Sequence, residues 1–188
     1  MAFARARVPA RFHRTLLVIA PLAALLLTSS LGAQDTPRPR RSQQAVVMQR
    51  LGGTTVEVRY SRPSARGREL FGALVPWGRP WTPGADTATS IAFSEAVRVN
   101  GQPLAAGTYT IWMIPSEGRW TVIFSSAHPV WHLPYPQGRD VLRVESTPRE
   151  GTHMELLTFY FPDVDGLTGE LVMHWGTTVV PIAIDPAR

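Results

Sequence analysis

The chain has 188 residues, a formal net charge of +5, no cysteine and no lysine, so that all 19 of its basic residues are arginine. Without cysteine it has no disulfides, no thiolate catalysis and no cysteine-type zinc cluster. The basic excess sits largely upstream: four arginines fall in the first 14 residues, Arg38, Arg40 and Arg41 follow, and from Ala45 onward 12 arginines face 13 acidic residues, a near-neutral balance that sets a nucleic-acid partner aside.

In chain order, residues 1–33 read as a secretory signal peptide. Arg5, Arg7, Arg11 and Arg14 stand before the uncharged 13-residue run 15–27, and small residues lead to Ala33. That run is shorter than the roughly 20 residues a membrane-spanning helix needs. Cleavage after Ala33 is expected, with no stable membrane span afterwards and a periplasmic or extracellular product. Residues 34–44, rich in proline and arginine and without periodicity, are expected to be a flexible linker. Residues 45–188 are long enough for one domain with its own core.

From there the pattern is β throughout. Residues 45–51 end at Gly52-Gly53, and residues 54–61 follow with Val56, Val58 and Tyr60 alternating against Glu57 and Arg59, which predicts a hairpin. Residues 89–93 and 96–104 come next, the second run containing an Asn100-Gly101 turn. Residues 107–115 lead through Ser116-Glu117-Gly118-Arg119 into 120–125, a second hairpin. Residues 140–146, 153–161, 169–176 and 177–184 complete the set. Nine to ten short strands separated by turn residues predict an all-β fold, a jelly-roll-like antiparallel β-sandwich. One short helix is expected over residues 67–75.

Two stretches are too long for plain connections, residues 62–88 and 126–139. Between Arg59 and Asp86 lie five arginines, two tryptophans and four prolines. Arginine offers a planar fork for carboxylate or phosphate, and tryptophan a flat stacking face. Arg62, Arg68, Trp77, Trp81 and Asp86 are therefore the candidate ligand-binding residues, with Arg66 and Arg79 nearby, for a small molecule, a glycan or an envelope-derived acid. The opposing reading gives the same stretch a structural role: its apolar residues plug an open end of the sandwich while its arginines pair with Asp86 or Glu69.

His128, His132, His153 and His174 show neither HxH nor HExxH spacing, so no metal and no other cofactor is predicted. There is no G-x-S-x-G elbow and no phosphate-cradling glycine loop. A hydrolase or isomerase would have to bring together groups such as Glu57, Glu155, His132 and His174, and the sequence assigns no catalytic residue. The leading expectation is an exported binding or envelope-associated accessory module. The alternatives are that hydrolase or isomerase, and a purely structural envelope domain.

Several strings carry a resemblance: Tyr60-Ser61-Arg62-Pro63, Gly67-Arg68, Phe71-Gly72, Leu74-Val75-Pro76, Gly84-Ala85, Ala88-Thr89 and the run 103–109 in spaced order. Over residues 47–184 the chain resembles the domain of unknown function 2911 family, exported bacterial proteins without assigned catalytic residues. The resemblance implies fold and export and carries over no mechanism. Three positions depart from the family's usual pattern: Asp86 stands where Asn is usual, Thr82-Pro83 where Arg commonly follows the tryptophan, and Ser125 where Asn is typical.

Overall fold

A computed structural model describes residues 41–187; the expected signal peptide, 1–33, and the expected linker as far as residue 40 lie outside the described residues. The first strand, β1 (Gln43–Leu51), opens two residues before the position read as the start of the domain. It turns through Gly52-Gly53 into β2 (Thr54–Arg62), and Leu51 pairs with Thr54 as the glycine pair predicts. Next come β3 (Ser90–Phe93), β4 (Val97–Val99) and β5 (Gln102–Leu104). Asn100 and Gly101, at φ 46° and 79°, form the tight turn that divides the 96–104 run into two strands. β6 (Gly107–Ile114), β7 (Trp120–Ser125), β8 (Asp140–Ser146), β9 (Arg149–Tyr160) and β10 (Gly169–Pro186) follow.

All pairings between these strands are antiparallel, in a six-stranded sheet ordered β1-β2-β3-β6-β7-β8 and a four-stranded sheet ordered β5-β4-β10-β9. Period-two alternation explains the layering. On β2, Val56, Val58 and Tyr60 point inward while Glu57 and Arg59 face out; on β6, Tyr109, Ile111 and Met113 enter the core. The two inner faces close over that core, giving an all-β sandwich.

Two expectations are corrected. Residues 67–75 form no helix; they make successive turns, with Gly67 at φ 65° and Gly72 at φ 94°. Two left-handed glycines within six residues break the repeating backbone geometry that a helix needs. The strands expected at 169–176 and 177–184 are one strand, β10. Inward residues are Leu171, Met173 and Trp175 before Gly176 but Val180, Ile182 and Ile184 after it. Gly176, at φ 61° and between two register shifts against β9, reverses the parity without ending the strand. Pro181 falls between the part of β10 paired with β9 and the part paired with β4, where its missing N–H costs no ladder bond.

The two long connections are ordered. The first returns beside β6 where the shorter β3 leaves off: Thr89 O accepts from Ile111 N (2.8 Å), Trp81 and Met113 exchange both backbone bonds (2.8 and 2.7 Å), and Gly78 N donates to Pro115 O (2.8 Å). The second crosses the outer face of the six-stranded sheet. There Trp112 and Ile123 are fully buried with Ala88, against Val130 and Tyr135. Ala88 N donates to Val130 O (3.0 Å) and His132 N to Asp86 O (2.9 Å), so the two loops are laced together.

Candidate functional site

Phe71 is the centre of the loop-built end. Its ring lies edge-on to Trp120 (4.6 Å), Trp81 (5.8 Å) and Trp175 (6.1 Å) and is stacked with Trp77 (6.3 Å). Trp81 is in turn stacked on Trp175 at 6.0 Å and 12°. Edge and offset contacts at these separations each contribute about 0.5–1.5 kcal/mol beyond the area they bury. Trp120 Nε1 donates to Ser116 O (2.9 Å), whereas Trp175 Nε1 is buried without a partner among the described residues and its ring is held by packing. Gly72 is required beside it: a Cβ there would stand 2.6 Å from Trp77 Nε1.

The candidate polar residues divide. Arg62 Nε donates to Leu157 O (3.2 Å) and Arg62 Nη2 to Thr158 Oγ1 (2.7 Å), which ties β2 to β9 across the open edge of the sandwich. Arg68 Nε donates to Ala65 O (2.9 Å) and Nη2 to Ser64 O (2.6 Å), bracing its own turn. Asp86 sits at φ 63°, a left-handed conformation that suits Asp and Asn alike. Its carbonyl accepts from both His132 N and His132 Nδ1 (2.7 Å) and so holds the second loop.

Glu155 on β9 clasps the first loop from the other side. It accepts from Ser64 Oγ and from Arg66 N (2.8 Å), and its second oxygen lies 3.1 Å from His153 Nε2. The Ser64 hydroxyl first, then the Arg66 amide and His153, lower its carboxyl from 4.5 to about 2.

Two concavities flank the plug. A groove runs past Trp77 in two adjoining parts of about 320 and 710 Å³, which share Trp77 and Thr178. Arg68 and His153 lie on one side, Glu117 and Arg119 on the other. A separate cleft of about 310 Å³ opens between the loops, lined by Val75, Pro76, Arg79, Trp81, His132 and Leu133 among others. Of the five candidate residues, Arg68 and Trp77 therefore share the groove and Trp81 lines the cleft. Arg62 and Asp86 border neither.

The groups that a hydrolytic site would need are held by separate partners. Glu57 pairs with Arg59 (2.7 Å), Glu155 with Ser64, and His132 with Asp86 O. His174 is buried between Thr152 O (2.9 Å) and Tyr160 Oη (3.3 Å). Among the described residues no group of three or more His, Asp or Glu side chains has a metal-binding arrangement, and no helix is long and apolar enough to cross a membrane. Phe71, Trp120, Trp175, His132 and Leu133 belong to this end and were not among the five candidate ligand-binding residues, His132 having been weighed only for metal or hydrolytic chemistry. The signal for the last two was the length of the second loop; Phe71 and Trp175 border glycine, a pattern too common to single them out, and Trp120 only opens a strand after the 116–119 turn.

The class defined here is a two-sheet antiparallel β-sandwich whose end is closed by an aromatic loop plug flanked by two concavities. The chain belongs to the family described as "Protein of unknown function (DUF2911)", whose model matches residues 42–184. No curated protein and no solved structure matches the chain.

Proposed function

We propose that the protein is an exported, envelope-associated binding module that holds a hydroxyl-rich ligand, an oligosaccharide, along the groove at Trp77. The observation that carries this reading is Trp77 itself, which is 40% exposed where the two parts of the groove meet while its neighbours Trp120 and Trp175 are buried. Phe71 stacks on it, so the indole is held in place without being covered. A sugar ring offers an apolar C–H face to such a platform and hydroxyls around its rim. Arg68, Thr178, Glu117 and Arg119 surround the platform with donors and acceptors of both charge signs. Export is supported by the pattern of residues 1–33.

The test is calorimetric titration of the purified chain with neutral and acidic oligosaccharides, alongside the Trp77→Ala variant. Binding that weakens at least tenfold in Trp77→Ala, with the thermal midpoint held within a few degrees, is the expected result. If no glycan binds, or binding ignores the substitution, the purely structural reading stands instead; the packed plug of Phe71, Trp81, Trp120 and Trp175 favours it. Export is checked by the N-terminal residue of protein recovered outside the cytoplasm, expected to be Gln34.

A further inference from the structure

The cleft between the loops differs in kind from the groove and shares no lining residue with it. Val75 and Thr82 are buried in it, 3% and 2% exposed, beside Pro76, Pro80 and the partly buried Trp81. At about 310 Å³ it falls at the lower end of small-molecule sites, which run from about 300 to 1,000 Å³. With a water occupying roughly 30 Å³ of liquid, that is room for on the order of ten heavy atoms.

Its walls are pinned before anything binds. Val75 N donates to Leu70 O (2.7 Å), Trp81 N to Met113 O (2.8 Å), Thr82 Oγ1 to Ile111 O (2.9 Å) and His132 N to Asp86 O (2.9 Å). A preformed apolar cleft spares a ligand the cost of ordering the loops. Large apolar side chains stay exposed on it, Leu74 at 44% and Leu133 at 64%. Clustered apolar exposure at a concavity marks a contact site. The lining carries one formal charge, Arg79, and no carboxylate. Arg62, Arg68, Arg119 and Arg143 all have hydrogen-bond partners, whereas Arg79 has none among the described residues.

We infer that this cleft is a binding site for a small amphiphilic monocarboxylate, its hydrocarbon body against Trp81, Val75, Pro76 and Leu133 and its carboxylate at Arg79. One exposed guanidinium matches one carboxylate through a two-pronged hydrogen bond. A phosphate dianion would bring a second charge that nothing in the lining balances, and a neutral alkane would leave Arg79 unused. The inference does not rest on the oligosaccharide reading, which concerns the groove.

The experiment titrates octanoate, octanol and octylammonium by calorimetry into the purified chain and into its Arg79→Gln and Leu133→Glu variants. Both positions are exposed, and folding of each variant is confirmed by its thermal transition. Octanoate is expected to bind at least tenfold more tightly than octanol or octylammonium. Arg79→Gln should bring octanoate down to the level of octanol. Leu133→Glu should weaken octanoate at least tenfold and strengthen octylammonium. The proposal is overturned if octanoate and octanol bind alike, if none of the three binds the unaltered chain, or if Arg79→Gln leaves octanoate binding unchanged.

Discussion

The two long loops are both rich in proline and aromatic residues but seat them on different supports. The first, over residues 62–88, turns Phe71 and Trp81 inward to close the end of the sandwich. The second, over residues 126–139, lies on a sheet face. It buries Trp112 beneath it yet leaves Trp131 54% and Leu133 64% exposed. An open end offers a hole that rings can fill from several directions. A sheet face is already close-packed by its own side chains and accepts cover on one side only. Each loop seats part of its aromatic content and exposes the rest: Phe71 and Trp81 are seated and Trp77 exposed in the first, Tyr135 seated and Trp131 exposed in the second.

Substitutions should separate the loops by the size of their effect. Trp81→Ala removes a ring sandwiched by Phe71 and Trp175 and should cost about 3–5 kcal/mol in urea unfolding. A loss under about 1 kcal/mol would mean that the first loop rests on the sandwich rather than completing it. Gly72→Ala forces a left-handed backbone on alanine and drives its Cβ to within 2.6 Å of Trp77 Nε1. A cost of about 1–3 kcal/mol is expected, with a shift in tryptophan emission as Trp77 is displaced.

The Glu155 clasp gives the first loop a dependence on pH. Because its carboxyl is lowered from 4.5 to about 2 in the fold, its contribution is complete above pH 4.5 and is lost as pH falls towards 2. The thermal midpoint of the unaltered chain should fall more steeply through that window than that of Glu155→Gln. Parallel slopes would remove the clasp from the account. Smallest of all, Trp131→Ser should change stability by no more than about 0.5 kcal/mol, as exposed positions do. A loss above about 1 kcal/mol would make the second loop a packing element like the first.

Strands were legible where alternation and turn residues agreed. Val56, Val58 and Tyr60 against Glu57 and Arg59 gave β2, and Gly52-Gly53 and Asn100-Gly101 gave their turns. Gly176 misled because a change of inward parity looks, in a linear string, like the end of one strand and the start of another. The candidate site was half legible. The stretch from Arg59 to Asp86 was found, and it does build the plug and a wall of each concavity. Which arginine is committed was not, because the acceptors that hold Arg62 are a carbonyl and a hydroxyl some 95 residues away in sequence. Backbone carbonyls carry no residue signature, so local spacing cannot reveal them.

β10 comes last in chain order among the described strands, yet it lies inside its sheet, between β4 and β9. Synthesis from the N-terminus delivers both neighbours before the strand that joins them. Without residues 169–186, β9 keeps only its bridge to residues 63–65 and β4 only its pairing with β5. Pairings this distant along the chain are also slow to close. The smaller sheet therefore closes only when residues 169–186 are seated between β4 and β9, so one segment joins two parts of the fold that are otherwise separate in that sheet.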